Sequence, residues 1–421
     1  MPLLADVTPL RVSPDFRRLF VGLNLAQLGQ QMTAVAVSIQ VFDLTNSSLA
    51  VGTVGIVMLV PMVLGGLYGG ALADVLDRRK LALASGLGLW VASLALFTVS
   101  VTHVDRVWVL YVIVAVQAAM FAINSPARSA IIPRIIEPKL IPQANALSSV
   151  GFNTGLTVGP MLGAAFVAWK GYGAAYGTDV VTYTGALYAL LRLPPMPTQP
   201  DGERTRAGLG TVLDGMRYLR RNRVVLGSFV ADFCAMILAS PRALFPAAAG
   251  AFYAGGTKTI GLLQSAPAVG AVLAMVFSGW LHKVRRHGFA VIVAVACWGL
   301  AVAGFGLTSS LLVGLAVLAF AGAADSVSSV FRGTILLVAT PDEMRGRLQG
   351  VFIVVVAGGP RLGDFIAGTD GDVFGLRVAL VAGGLACVAG ILAVAKFIPQ
   401  LRTYVRHEPA ETHPAAESTA G

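Results

Sequence analysis

Long apolar stretches recur along the whole chain and limit its fold more than any other feature. Hydropathy places twelve of them, each long enough for a helix of about 20 residues to cross a hydrocarbon core about 30 Å thick. They cover 17–42, 49–73, 81–101, 107–130, 142–169, 173–193, 224–250, 259–281, 289–308, 311–336, 346–368 and 375–398. Only 12% of the residues are charged, about half the fraction in soluble proteins. The sequence therefore predicts an all-α membrane protein with twelve transmembrane helices.

The basic residues alternate between the loops that join these stretches. With the N-terminus inside the cell, 25 of the 31 lysines and arginines fall in cytoplasmic segments, four fall outside and two fall within spans. This asymmetry follows the positive-inside rule. We therefore expect a multi-pass protein of the bacterial cytoplasmic (inner) membrane, surrounded by the lipid bilayer, with both termini in the cytoplasm. The net charge of +10 then follows from topology, and nucleic-acid binding is not expected.

The two halves of the chain share short patterns. Gly159–Gly163 (GPMLG) recurs 200 residues later as Gly359–Gly363 (GPRLG), in the positions that a six-plus-six duplication would give. Two six-helix bundles around a central cavity are typical of carriers that rock between two states. The predicted domains are an N-terminal bundle (1–193), a cytoplasmic linker with an amphipathic helix (194–223), a C-terminal bundle (224–402) and a disordered cytoplasmic tail (403–421).

Two segments carry a resemblance to a known family. The loop Gly70–Lys80 (GALADVLDRRK) resembles motif A of the major facilitator superfamily, and Gly155–Ala164 (GLTVGPMLGA) resembles motif C of its drug:proton antiporters. Within the superfamily the chain is most similar to siderophore exporters and their multidrug-efflux relatives. It departs from the pattern at Val75, where motif A has a basic residue, and at Asp77, where it has a glycine. Span four lacks the arginine of motif B.

The resemblance implies a gate at the cytoplasmic end of span two. Asp74 would face the positive N-terminus of span eleven and hold the cytoplasmic side closed, although it could equally cap a turn. The implied gate residues are Gly70, Asp74, Asp77, Arg78 and Arg79.

The resemblance also assigns a role to four motif C residues, which are Gly155, Gly159, Pro160 and Gly163. Small residues spaced by four let helices approach closely, and the proline removes a backbone donor and bends its helix. A hinge that favours export and plain close packing are both consistent with this pattern.

Four carboxylates lie within the predicted spans, where an unpaired charge costs about 2.5–3.5 kcal/mol at the bilayer centre. Asp364 lies three residues after Arg361, so we expect a structural ion pair. The resemblance implies that span six is peripheral, so we expect a structural role for Asp179. It also implies that spans seven and ten line the cavity, which leaves Asp325 and Asp232 as proton-coupling candidates. Arg332 lies on the face of Asp325 but near the cytoplasmic end, so the sequence argues against their direct pairing.

Polar side chains within the spans suggest contacts with a substrate. Asn24, Gln27 and Gln31 form a stripe on span one that could bind a substrate or tie helices together. Gln117 in span four and Arg242 in span seven complete the candidates. Arg242 could attract an anionic ligand or form a structural salt bridge.

The expected function is transport. The sequence has no Gly-x-x-x-x-Gly-Lys motif, so energy must come from an ion gradient, and protons are the expected coupling ion. We predict a monomeric secondary transporter without metal or cofactor, which exports a small molecule of siderophore type. Multidrug or antibiotic efflux is the alternative. A membrane-embedded enzyme or receptor would need a cluster of reactive side chains that the sequence lacks.

Overall fold

The computed structural model describes residues 7–196, 217, 219, 222–338 and 342–404, with the side chains at 67–71, 73–75, 153, 280, 282–283, 337 and 342–357 left aside. Every regular element in the described part of the chain is helical. The amphipathic helix predicted in the linker and most of the predicted tail lie outside the described residues.

Eight helices form the first half of the chain. They are α1 (Thr8–Val12), α2 (Pro14–Thr45), α3 (Ser48–Val75), α4 (Arg78–Val101), α5 (Val107–Ser129), α6 (Ile132–Ile135), α7 (Ile141–Lys170) and α8 (Tyr172–Leu191). The six long helices match the first six predicted spans to within a few residues.

The second half also contains eight helices. They are α9 (Arg223–Phe233), α10 (Phe245–Tyr253), α11 (Thr257–Val276), α12 (His287–Leu307), α13 (Leu311–Val338), α14 (Asp342–Phe374), α15 (Leu376–Phe397) and α16 (Pro399–Arg402). In the described part of both halves, nine helical segments are long and apolar enough to cross a membrane. Large apolar side chains such as Trp108 and Leu312 are exposed on the outer surface of the bundle, as expected of helices that face lipid.

Local sequence explains where several helices begin and end. Ser13 and Ser47 cap α2 and α3, because each hydroxyl accepts a bond from a backbone amide in the first turn. α7 and α8 are separated by Gly171 alone, and α14 and α15 by Gly375 alone. Both glycines have positive φ angles, of 77° and 87°, which an L side chain rarely adopts. The two halves thus turn in the same way at matching places.

The seventh predicted span, 224–250, corresponds to an apolar segment at Arg223–Tyr253 that is long enough to cross a membrane, but this segment is not one continuous helix. α9 passes into a π-helical turn at Cys234–Leu238, and a short 3₁₀ turn at Arg242–Leu244 precedes α10. Pro241 and Pro246 explain the interruption, because proline cannot donate the backbone bond that a continuous helix requires. Trp298 compensates in part, since its indole nitrogen donates to the free Ala239 carbonyl at 3.1 Å.

Each half packs mainly within itself, and two helix pairs make most of the contact between the halves. α3 lies against α14, and α7 lies against α11. Glycines sit at both contacts: Gly52 faces the Asp364 backbone, and Gly261 faces Ala164. Small residues at these crossings let the backbones approach closely.

Arg79 and Arg128 mark one end of the first half, which we call the basic end. There Arg79 donates to the carbonyls of Leu190 and Leu191 at the end of α8, at 3.2 and 2.6 Å. The loops at Asn46 and Gly171 lie at the opposite end.

Candidate functional site

A cavity of about 470 Å³ lies at the basic end of the first half. Its wall combines aromatic rings, small polar side chains and one arginine, contributed by α2, α5, α6 and α7. The lining residues are Phe16, Leu19, Phe20, Leu23, Asn24, Gln27, Phe121, Ser125, Arg128, Ser129, Ile132, Asn145, Ser148, Ser149 and Phe152. A concave site with apolar rings and a few polar groups is the usual form of a small-molecule site.

Arg128 is the one charged side chain in the described wall of this cavity. Its guanidinium donates to the Asn124 side-chain oxygen at 3.4 Å and interacts electrostatically with Tyr183. No sequence pattern singles it out, because a basic residue near the end of a span already satisfies the positive-inside rule.

The structure separates the predicted substrate contacts. Asn24 and Gln27 line the cavity, and the Asn24 amide also donates to the Phe20 carbonyl at 2.7 Å. Gln31 lies farther along α2, outside the cavity wall. Gln117 is buried and donates to the Ser93 hydroxyl at 3.4 Å, away from the cavity.

The motif C glycines pack against the polar stripe of α2. A Cβ atom at Gly155 would lie 2.8 Å from the Gln27 side chain, and one at Gly159 would lie 2.5 Å from Gln31. One at Gly163 would lie 2.7 Å from the backbone of Met32. These positions therefore bring α7 into close contact with α2, and larger side chains would force the two helices apart.

Asp179 on α8 is buried and has only uncharged hydrogen-bond donors. Oδ2 accepts bonds from the hydroxyls of Ser93 at 2.7 Å and Thr33 at 3.0 Å. Oδ1 is buried and has no hydrogen-bond partner. This group links α2, α4 and α8, and Gln117 extends it to α5.

Asp232 and Asp325, the two predicted proton-coupling residues, meet at a single arginine. Arg332 on α13 forms an ion pair with Asp232 of α9, and its Nη2 atom lies 3.4 Å from Asp325 Oδ1. The expectation that Arg332 and Asp325 do not pair is wrong. Arg332 lies about 9 Å before α13 ends at Val338, and its long side chain reaches back toward Asp325.

The two carboxylates differ in exposure. The Asp232 side chain is 6% exposed, whereas that of Asp325 is 35% exposed. Asp325 is also close enough to Arg242 for an electrostatic interaction. Asp232 is therefore buried in its ion pair, while Asp325 has a longer contact with the arginine and a more exposed side chain.

Arg242 and Asp364 belong to the same row of charges. Asp364 accepts a bond from the Ser240 hydroxyl at 2.6 Å, at the break in the seventh span. It also interacts electrostatically with Arg242 and Arg361. Charges of alternating sign thus run from α9 across α13 to α14, and Arg242 contributes from an exposed position at the break.

The motif A residues that the structure describes are bound within the first half. The Asp77 carboxylate accepts the backbone amides of Lys80 and Met196, both at 3.1 Å, and so caps α4. Arg78 donates to the Ala130 carbonyl at 3.4 Å. Two further motif A residues, Gly70 and Asp74, lie outside the residues whose side chains are described.

Asp372, which the sequence did not single out, joins the two halves at the opposite end. Its carboxylate accepts bonds from the Ser47 hydroxyl at 2.5 Å and from the backbone amides of Ser48 and Leu49 at 2.8 and 3.2 Å. An acid on α14 thereby caps the N-terminus of α3, where the helix dipole favours negative charge. Its position near a loop, with no partner nearby in sequence, provides no signal.

Helices that can cross a membrane, a polar cavity at one end and a row of charges of alternating sign together describe a membrane transporter. The chain belongs to the major facilitator family MFS_3, described as transmembrane secretion effector, whose model matches residues 5–417. The predicted superfamily is confirmed. The prediction that the chain is not an enzyme is also confirmed, because the family consists of transporters.

Relatives of the chain include bacterial exporters. It is 25% identical over 406 residues to the enterobactin exporter EntS of Citrobacter koseri, covering 96% of this chain and 97% of that one. It is also 25% identical over 404 residues to EntS of Escherichia coli K12, with 96% and 95% covered.

Solved transporter structures share the fold. The nucleoside transporter NupG superimposes with a TM-score of 0.72 at 13% identity, covering 91% of this chain and 98% of that one. A mutant of the peptide transporter POT gives 0.74 at 13% identity, with 94% and 96% covered. A bacterial homologue of the human lysosomal transporter Spinster gives 0.70 at 16% identity, with 94% and 99% covered.

Proposed function

We propose that this chain is a monomeric secondary transporter that exports a small molecule across the bacterial cytoplasmic membrane by alternating access. Twelve spans in two six-helix bundles form the carrier. One observation carries the proposal: a polar cavity lies at the basic end, while Asp372 joins the halves at the opposite end. A carrier with substrate access from one side and contact between its halves at the other has the form required of alternating access.

The direction of transport follows from the charges at the basic end. Lysines and arginines prefer the cytoplasmic side, and 25 of the 31 fall in segments assigned to it. The cavity would then open to the cytoplasm and load substrate there. Asp74 and the glycines of α7 keep their proposed roles as cytoplasmic gate and hinge.

We propose Asp325 as the proton-coupling residue. It is the more exposed of the two acids at Arg332, and its arginine contact is the longer one. A proton on Asp325 would weaken its attraction to Arg332 and Arg242, so protonation would alter the contacts among the charged helices. A proton moving down about 150 mV yields about 3.5 kcal/mol, enough for an outward gradient of roughly 300-fold.

The favoured substrate is an anionic or polyphenolic metabolite of siderophore type. The relatives are named as enterobactin exporters. In addition, Arg128 supplies a positive charge within a wall that also contains aromatic rings and neutral amides. A guanidinium binds oxygen anions and stacks on aromatic rings, which suits a ligand with several ring oxygens.

Multidrug efflux is the second candidate. Four phenylalanines in the cavity wall, Phe16, Phe20, Phe121 and Phe152, would accept apolar drugs. The two candidates predict different responses to Arg128→Gln, because only an anionic substrate depends on the guanidinium.

Transport into inverted vesicles tests these assignments. A catechol siderophore and a panel of cationic drugs are offered separately under an imposed proton gradient. We expect gradient-dependent uptake of the siderophore that Arg128→Gln reduces at least tenfold, while the exposed Arg106→Gln leaves it unchanged. Uptake of drugs alone would favour the second candidate, and uptake of neither, or uptake without a gradient, would contradict the proposal.

A further inference from the structure

Asp179 is a buried acid within the spans whose hydrogen-bond donors are uncharged hydroxyls and which forms no ion pair among the described residues. Its exposed fraction is 1%. A carboxylate in such a place needs a cation, water or a proton. The arginines that lie near the acids of the second half have no counterpart among the described hydrogen-bond partners of Asp179.

The hydrogen bonds of Asp179 are distributed unequally between its two oxygens. Both hydroxyl donors, Ser93 and Thr33, bond to Oδ2, while Oδ1 has none. A carboxylate shares its charge over both oxygens and would attract donors to each. A neutral carboxylic acid has one carbonyl oxygen that accepts bonds well and one hydroxyl oxygen that carries the proton. The observed pattern is that of the neutral acid.

Three neighbouring helices place polar side chains around Asp179. α2 presents Thr33, α4 presents Ser93, and α5 presents Gln117 through Ser93. The titratable neighbour on α8 itself is Tyr183, one turn away, which interacts electrostatically with Asp179.

Tyr183 provides a route from this acid to the cavity. Its hydroxyl interacts electrostatically with Arg128, and Arg128 lines the cavity at the basic end. A phenol hydroxyl, which can take up one proton as it releases another, therefore lies between the buried acid and the cavity.

We propose that Asp179 is a proton-binding site of the first half, neutral in this state, which exchanges its proton with water in the cavity at the basic end through Tyr183, whose hydroxyl takes up one proton as it releases its own. The proposal concerns a residue outside the row of charges at Arg332. It holds whether the substrate is a siderophore or a drug, because it depends only on the groups around α8.

Infrared spectroscopy of the purified full-length chain in lipid tests the proton itself. A protonated carboxyl has a carbonyl band separate from carboxylate bands. We expect such a band at neutral pH that Asp179→Asn removes and that Asp105→Asn, which changes an exposed loop acid, leaves intact. A spectrum in which Asp179→Asn removes no protonated-carboxyl band would overturn the proposal.

A second set of variants keeps Asp179 in place and so guards against misfolding of the Asn variant. Thr33→Val and Ser93→Ala each remove one donor to the carbonyl oxygen, and since hydrogen bonds lower a carbonyl frequency, each should shift the band upward. An unshifted band in both would assign it to another group and contradict the proposal.

Deuterium exchange tests the route. The band moves when the acidic proton is replaced by deuterium, and its rate of change in heavy water reports access to the proton. We expect Tyr183→Phe to slow this exchange at least tenfold, and Tyr188→Phe, which changes an exposed tyrosine on the same helix, to leave it unchanged. Equal rates in wild type and Tyr183→Phe would refute the route, and a purely packing role for Tyr183 would not alter the rate.

Discussion

The two halves of the molecule bury acids in different ways. In the second half, Asp232 is paired with Arg332, and Asp325 and Asp364 lie near arginines. In the first half, Asp179 has two hydroxyls and an unpartnered oxygen. Since a buried charge is stable only with a compensating partner, the arginines of the second half can compensate charged acids, whereas the surroundings of Asp179 fit the neutral acid that we propose. Four predictions test this contrast.

The largest effect is expected from removing the shared arginine. Arg332→Met leaves Asp232 buried without its cation, which should lower the free energy of unfolding by about 3–5 kcal/mol. Thermal unfolding in detergent measures the change. The double variant Asp232→Leu/Arg332→Met removes both charges and should recover most of the loss. If the single variant is as stable as wild type, the ion pair between Asp232 and Arg332 does not stabilise the fold.

Asp325→Asn should abolish proton coupling and leave the free energy of unfolding nearly unchanged. Because the Asp325 side chain is 35% exposed, we expect little change in unfolding, whereas gradient-driven accumulation should disappear, a loss of about 3.5 kcal/mol of driving force at about 150 mV. Exchange of labelled for unlabelled substrate without a gradient should persist. Accumulation that survives in Asp325→Asn but is lost in Asp232→Asn would transfer the coupling role to Asp232.

Two substitutions of Asp179 should differ in stability. Asp179→Asn keeps an oxygen that accepts bonds from Thr33 and Ser93, so the change should stay below about 1 kcal/mol. Asp179→Leu leaves both hydroxyls buried without an acceptor and should lower stability by about 1–3 kcal/mol. Chemical denaturation compares them. A loss in Asp179→Asn as large as that in Arg332→Met would mean that Asp179 is charged and compensates a cation.

The smallest effect is expected at Ser240. Ser240→Ala removes one donor to Asp364, but the interactions of Asp364 with Arg242 and Arg361 remain. We expect a loss of about 1 kcal/mol, measured by the same unfolding experiment. A loss above that of Asp179→Leu would show that the hydroxyl, rather than the arginines, stabilises this acid.

Hydropathy located the helices well because a membrane span needs a long apolar run whatever its neighbours are. Contacts between helices were harder to foresee. Asp232 and Arg332 are far apart in sequence, and no local pattern pairs them. Asp179 was recognised as buried, but its partners Ser93 and Thr33 are residue types that occur throughout the spans.

The site residues could be predicted where a sequence motif contains them, but their contacts with other helices could not. The polar stripe on α2 and the motif C glycines were both noted, yet only packing shows that Gly155 and Gly159 lie against Gln27 and Gln31. The prolines of the seventh span were visible, but the π-helical turn between α9 and the break was not, because such turns have no sequence signature comparable to a cap.

The bond network of Asp372 has a consequence for the resting carrier. Ser48 and Leu49 obtain a side-chain acceptor for their amides from the other half of the molecule, so their helix end is fully satisfied only while the halves touch there. Separating the two halves at this end would leave the N-terminus of α3 without these acceptors. The cost should be comparable to that of losing a helix cap, about 0.5–2 kcal/mol. That is a bias of roughly two- to thirtyfold toward contact between the halves at this end, which would limit ion leakage when no cargo is bound.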